Sequence, residues 1–203
     1  MNLPNQLTVV RCIMALLYMA LMSFEGLWPA VGALLMFIAA AITDYLDGNI
    51  ARARGLVTNF GKLMDPLADK ILMVAAFVMM MPIPYLWIPG WTIVVILSRE
   101  FVVTGMRSLA ASEGEVLAAI HSGKTKTVLQ IAYVVVFMAV VVLVEGVEAY
   151  PSIAEALPCT QETLMRFTGW SSLGGILAVT AVTVYSGIEF ARVNWSKLHL
   201  DNL

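Results

Sequence analysis

The sequence predicts an all-α integral membrane protein with six transmembrane helices and both termini on the cytoplasmic side. Three observations predict this. Only 13% of the 203 residues are charged and mean hydropathy is +0.85, whereas a soluble domain carries about 25% charged residues. Six apolar stretches recur along the chain, each near the ~20 residues that cross a bilayer as a helix. Lysine and arginine gather at alternate ends of these stretches.

The first span is expected over residues 6–24. Its opening, MNLPNQLTVVRC, has no basic leader, and Arg11 interrupts the apolar run. We therefore expect this segment to be retained rather than removed as a signal peptide. The second span covers residues 28–50 and runs into a basic turn containing Arg52, Arg54 and Gly55. The third covers 64–82, and PIPYLWIPG at 82–90 is a short Pro- and Gly-marked connection to the fourth, 88–110. The fifth and sixth cover 125–145 and 169–191. Residues 146–168 are the one sizeable polar insertion, expected to form an outer connector with a short amphipathic helix. No internal repeat or low-complexity tract divides the chain, so we expect a single domain over 1–203. Cys12 and Cys159 lie far apart and are expected to be unpaired structural residues.

Orientation follows from the basic residues, which favour the cytoplasmic side. With the N-terminus inside, Arg52, Arg54 and Lys62 flank the turn between spans two and three. Arg107, Lys124 and Lys126 flank the turn between spans four and five, and Arg192 and Lys197 follow span six. Of 12 basic residues, Arg166 falls outside and Arg99 falls mid-span. The outer loops carry Glu25, Glu145, Glu148, Glu155 and Glu162, and Trp28, Trp87, Trp91 and Trp170 mark the outer interface.

Against this apolar background stands TDYLDGNIARARGLVTNFGKLMDPLADK, residues 43–70. Asp44 and Asp47 are spaced i, i+3 near the end of span two; Asp65 and Asp69 are spaced i, i+4 near the start of span three. Residues three or four apart share a helix face. A short turn makes the two helices antiparallel neighbours, so both pairs are expected to meet in one pocket at the inner leaflet. Four carboxylates there repel one another and resist desolvation. Protonation, pairing with Arg52, Arg54, Lys62 or Lys70, and bound cations are the three ways to offset them. An all-oxygen donor set suits Mg²⁺, Mn²⁺ or Ca²⁺, and neither His121 nor His199 joins the group. Mg²⁺ keeps positions for substrate phosphates, which points to phosphoryl chemistry. Gly48, Ala51 and Gly61 leave bare backbone beside the carboxylates. Such small residues serve close helix packing, or a flat ligand lying against the backbone.

These residues read Asp44-x2-Asp47-Gly48-x2-Ala51-Arg52-x8-Gly61-x3-Asp65-x3-Asp69, eight specified positions within 26. The pattern resembles the signature of the CDP-alcohol phosphotransferases without departure. Six spans are also that family's arrangement, so the resemblance covers most of the chain. It implies a membrane enzyme that moves a phosphatidyl group from CDP-diacylglycerol to an alcohol and releases CMP. By the same resemblance, Asp44, Asp47, Asp65 and Asp69 would hold two divalent cations, Mg²⁺ or Mn²⁺, and Asp69 would also be the general base. Gly48, Ala51 and Gly61, with Arg52 nearby, would line the cytidine site. The resemblance further suggests a homodimer, and the placing of the basic residues leads us to expect a multi-pass protein of the plasma membrane with its active site facing the cytoplasm. Nothing implies a nucleic-acid partner.

The acceptor is read from weaker signals. Arg99 and Arg107 are eight residues apart on span four and share a face over two turns. Arg99 lies roughly 18 Å below the outer interface, counting about 12 residues from Trp87 at 1.5 Å each. A buried arginine needs a partner. Glu100 is adjacent in sequence and expected on another side of the helix, so a bound anion or an aspartate of the cluster is the expected partner. Surplus positive charge favours an acceptor carrying its own phosphate, and Arg107, Lys124 and Lys126 are the expected holders of that phosphate. REFVVTGMRSLAASEG and GKTKTVLQ also look like the corresponding stretches of family members that use glycerol 3-phosphate. So does NLPNQLTVVR, with Asn5, Thr8 and Arg11 on one face. Thr8 is assigned to the donor site and Arg11 to the acceptor site. Two rival acceptors keep the same chemistry: inositol phosphate, and phosphatidylglycerol as in a cardiolipin synthase of the family. A cation transporter using the aspartates as a transit site predicts ion flux and no CMP, and leaves the glycine and alanine spacing unexplained.

Overall fold

The computed structural model describes residues 3–54, 59–112, 114–115, 117–118, 120–150, 152 and 160–195; the side chains of 3–8, 44–54 and 59–69 lie outside that description. Among the described residues there are six helices and no strand. They are α1 (Leu3–Met22), α2 (Leu27–Arg54), α3 (Asn59–Met80), α4 (Gly90–Ser112), α5 (His121–Ala149) and α6 (Gln161–Asn194). The all-α expectation holds, and each expected span has its helix.

These helices expose apolar side chains that a water-soluble protein would cover. Leu16 on α1, Leu35 on α2, Val94 on α4, Val128 on α5 and Tyr185 on α6 are each exposed by 60% or more. Repeated on helix after helix, that is the surface of a protein whose solvent is lipid. Among the described residues, α5 and α6 are each long and apolar enough to cross a membrane, and shorter apolar stretches run over Val9–Met22, Leu27–Thr43 and Lys70–Met80.

The chain forms two compact units. The first comprises Met1–Trp87 and Val134–Ser172, the second Ile88–Tyr133 and Leu173–Leu203. In the first, α1 packs along both α2 and α3, and α2 also meets α3. Small residues make the close approach possible: Ala15, Ala30, Ala33, Ala40, Ala75 and Ala76 are all buried. Tyr18, Phe37 and Phe77 fill the space left, each fully buried. The Tyr18 and Phe37 rings sit 6.1 Å apart, and the Tyr18 hydroxyl donates to the Met138 sulfur at 3.5 Å. The α1–α2 connection closes on Gly26 at φ +112°, a conformation open to glycine and strained for other residues. At the far side of the unit, Trp87 and Trp170 stack edge to face with centroids 5.1 Å apart. Gly169 makes room for them, since a Cβ there would lie 2.6 Å from the Trp87 ring.

In the second unit, α4 ends in a glycine-closed turn. Gly114 adopts φ +81°, its N–H donates to the Ala111 carbonyl, and the Glu115 N–H donates to the Ala110 carbonyl at 2.8 Å. That pair of bonds satisfies carbonyls the helix end would otherwise leave open. The segment that follows is tied to the end of α6. Asn194, fully buried, accepts from the Ala118 N–H at 2.8 Å and donates to the Phe190 carbonyl at 3.0 Å. Asn194→Ala removes both hydrogen bonds, each contributing about 0.5–1.5 kcal/mol, so we expect about 1–3 kcal/mol of lost stability. Thermal unfolding in detergent micelles measures it, with a larger loss than at an exposed α6 position such as Val193.

Three local expectations change. The sixth helix begins at Gln161 rather than near residue 169. Thr160 caps it, its hydroxyl accepting from the Thr163 N–H at 3.3 Å, and Glu162 stands in the first turn. The polar composition of 161–168 hid two further helical turns. Within 146–168, α5 runs on to Ala149, and the expected amphipathic helix falls largely outside the described residues. The third span was expected to begin at residue 64, but α3 starts at Asn59, which puts Pro66 well inside the helix. Cys12 is a free thiol, as expected; Cys159 lies outside the described residues.

Candidate functional site

The aspartate motif lies on two consecutive helices. Asp44, Asp47, Gly48, Ala51 and Arg52 occupy the last three turns of α2, and Gly61, Asp65 and Asp69 the first three of α3. Residues 44–47 and 65–69 are continuously helical, so each aspartate pair shares a helix face. Both pairs stand near the ends that residues 55–58 join, and α2 and α3 are in contact. The side chains of all eight motif residues lie outside the described set. Their placement on two helices of the first unit is what the structure describes of the motif. The donor set is all oxygen, which fits a hard divalent cation. Among the described residues no group of three histidine, cysteine or carboxylate side chains offers a rival cation site. Thr8 lies on α1 in the same unit, its side chain outside the described set, and Arg11 lies one turn on and is buried.

The second unit carries Arg99, Arg107, Lys124 and Lys126. Arg99, Glu100 and Arg107 stand on α4, Lys124 and Lys126 in the first turn and a half of α5, and Ser186, Gly187 and Phe190 on α6. Arg99 Nη2 donates to Ser186 Oγ at 2.8 Å, and Ser186 also meets Ser122 Oγ at 3.2 Å. Gly187 makes room for this, since a Cβ there would lie 3.2 Å from Arg99 Cγ. Arg99 Nη1 lies 3.6 Å from Glu100 Oε1, and the same carboxylate oxygen pairs with Lys126. Lys126 is buried. About two turns beyond Arg99 on α4, the Arg107 guanidinium lies over the Phe190 ring, 5.2 Å from its centroid.

The expected acceptor residues thus separate. Lys126 faces inward with Glu100 and Arg99, and Arg107 is exposed against Phe190. Lys124 is exposed; residues two apart on a helix do not share a face. Arg99 has two protein partners, Ser186 and Glu100, while its Nε is buried without a hydrogen-bond partner. The expectation that Glu100 points elsewhere is wrong, because a long carboxylate side chain reaches back across the helix to its neighbour. Sequence reasoning also missed Ser122 and Ser186. The available signal was a Ser-Gly pair, Ser186-Gly187, inside an otherwise apolar stretch.

Exposed apolar helix faces and a carboxylate motif near the ends of two consecutive helices define an all-helical protein of membrane character. The chain belongs to the CDP-alcohol phosphatidyltransferase family, whose model matches residues 1–159. Members of that family act with divalent cations. A CDP-diacylglycerol–glycerol-3-phosphate 3-phosphatidyltransferase of Bacillus subtilis is 43% identical over 143 residues, covering 64% of this chain and 72% of that protein. One of the same name from Cereibacter sphaeroides is 30% identical over 215 aligned positions, covering 94% of each chain. A CMP-forming cardiolipin synthase of Oryza sativa is 33% identical over 151 residues, 68% of this chain and 46% of that protein.

Proposed function

We propose that this chain transfers the phosphatidyl group of CDP-diacylglycerol to glycerol 3-phosphate, giving phosphatidylglycerophosphate and CMP. The observation that carries the reading is the Asp44–Asp69 signature on two consecutive helices, within a family match that includes relatives named for this reaction. Asp44, Asp47, Asp65 and Asp69 would hold divalent cations, Mg²⁺ or Mn²⁺. Bound there, the cations would neutralise the donor phosphates and the departing CMP. Gly48, Ala51, Arg52 and Gly61, with Thr8, line the donor site. Asp69 accepts the proton of the acceptor hydroxyl. That hydroxyl oxygen bonds to the donor phosphorus attached to the diacylglycerol as the bond from phosphorus to CMP breaks. Arg107 and Lys126 hold the acceptor's own phosphate, with Arg11 a further candidate; Lys124, exposed on another face of α5, is set aside.

The same reading takes the chain as a single domain with six spans and both termini cytoplasmic, in the plasma membrane and paired as a homodimer. The basic residues support the orientation, since they collect at one set of helix ends. The site then opens to the compartment that supplies glycerol 3-phosphate, while CDP-diacylglycerol enters from the lipid.

Purified protein is supplied with CDP-diacylglycerol, Mg²⁺ or Mn²⁺, and each acceptor in turn. CMP release with glycerol 3-phosphate, and none with inositol phosphate or phosphatidylglycerol, is the expected result; release only with one of the others overturns the acceptor. Lys126→Ala and Arg107→Ala each raise KM for glycerol 3-phosphate by about tenfold or more, a charge-assisted bond contributing ~1.5–3 kcal/mol. An unchanged KM in both variants removes them from the acceptor site.

A further inference from the structure

Lys126 is the most buried of the basic residues assigned to the acceptor, and it already has a carboxylate partner. Its side chain is 6% exposed and that of Glu100 is 15% exposed. The contacted Glu100 oxygen also lies 3.6 Å from Arg99, and Arg99 is anchored on Ser186. Two cations therefore share one carboxylate on the facing sides of α4 and α5. An ammonium so buried is costly without a counter-ion, and removing one partner of such a pair leaves the other uncompensated. The mechanism above makes no use of Glu100.

We propose that Glu100 is the internal counter-ion of the acceptor site, and that it competes with the acceptor's phosphate for Lys126. The inference rests on the reading of Lys126 as an acceptor residue. Before the acceptor binds, Glu100 neutralises Lys126 and keeps it extended along the inner face of α5. An arriving phosphate, with greater charge and three acceptor oxygens, draws the ammonium away from the carboxylate. Arg99, held by Ser186, remains beside Glu100 and takes up the charge that Lys126 releases. Part of the binding free energy is spent on that exchange, so the site binds its acceptor more weakly than an unpaired lysine would. Glu100 is thus a positioning residue that sets acceptor affinity; it neither touches the reacting atoms nor moves a proton.

The test is Glu100→Gln in the full-length protein, with inorganic phosphate as the probe. Glutamine keeps the shape and loses the charge. KM for glycerol 3-phosphate should fall about fivefold or more, and inhibition by inorganic phosphate should strengthen by a similar factor. Inorganic phosphate should also raise the melting temperature of Glu100→Gln more than that of the parent protein, a readout independent of turnover. Both effects should vanish when Lys126→Met is added, because the competition runs through that ammonium. A KM that rises or stays constant, with unchanged phosphate inhibition, overturns the proposal. If Glu100→Gln fails to fold, Glu100→Asp keeps the charge and shortens its reach; it should shift KM in the same direction by a smaller factor, and no shift overturns the proposal. The parent protein separates this test from the functional reading. If the parent releases no CMP with glycerol 3-phosphate, that reading fails; if it does and Glu100→Gln behaves like the parent, only the counter-ion role fails.

Discussion

Asp69→Asn lowers CMP release by about 10²- to 10⁴-fold, the contribution of a positioned general base. Asparagine keeps the size and an oxygen, and removes the basicity. Divalent-cation binding, followed by titration with Mn²⁺, should be weakened less than turnover, because Asp44, Asp47 and Asp65 retain their charge. Asp69 stands on α3 one turn beyond Asp65, at a position on the same helix face. Full turnover in Asp69→Asn would falsify the base assignment. Loss of cation binding equal to the loss of turnover would make Asp69 a ligand alone.

Gly169→Val should produce the largest loss of stability away from the motif. A Cβ at Gly169 would stand 2.6 and 2.7 Å from the fused-ring carbons of Trp87. Those atoms are the middle of a rigid ring already stacked against Trp170, so the ring has to leave as a whole. Overpacking of this kind costs about 1–3 kcal/mol. The loss of the aromatic pair adds about 0.5–1.5 kcal/mol. Gly169→Ala regains about 1 kcal/mol of helix propensity, which offsets part of the cost, so valine is the sharper probe. A lower melting temperature and altered tryptophan fluorescence are expected, with turnover of the folded protein unchanged. Parent-like melting would mean that Trp87 does not rest on Gly169.

Much of the fold was legible in the sequence because one physical rule governs it. A helix in lipid must be apolar over about 20 residues and must satisfy its own backbone, so each expected span coincides with one of α1 to α6. Boundaries were harder. The start of α6 was misplaced because Thr160, Gln161 and Glu162 are polar, and polarity in a sequence marks a cap and a loop alike. The motif was legible for a related reason. Spacings of three and four acquire meaning once the segment is helical, and Asp44, Asp47, Asp65 and Asp69 keep those spacings on α2 and α3.

The second unit shows where that reading stops. Arg99 was singled out as a mid-span cation in need of a partner, and its protein partners were not foreseen. Ser186 lies 87 positions away in the chain, and no periodicity links two such residues. Glu100 was set aside from its angle on the helix wheel, which locates a Cβ and not the end of a long side chain. Lys124 and Lys126 looked equivalent as neighbouring basic residues, but the packing of α5 turns one outward and one inward.

By itself, the sequence determined the class of the protein, the helices and the placing of the aspartate motif on two of them. All three follow from local composition and spacing, which a helix converts directly into geometry. Only the tertiary structure decided which charges meet: Glu100 with Lys126 and Arg99, Arg99 with Ser186, and Trp87 on Gly169. Those contacts join side chains on different helices, or turn on where a long side chain ends. Their partners are chosen by how the helices pack, and helix packing depends on surfaces that no single segment contains.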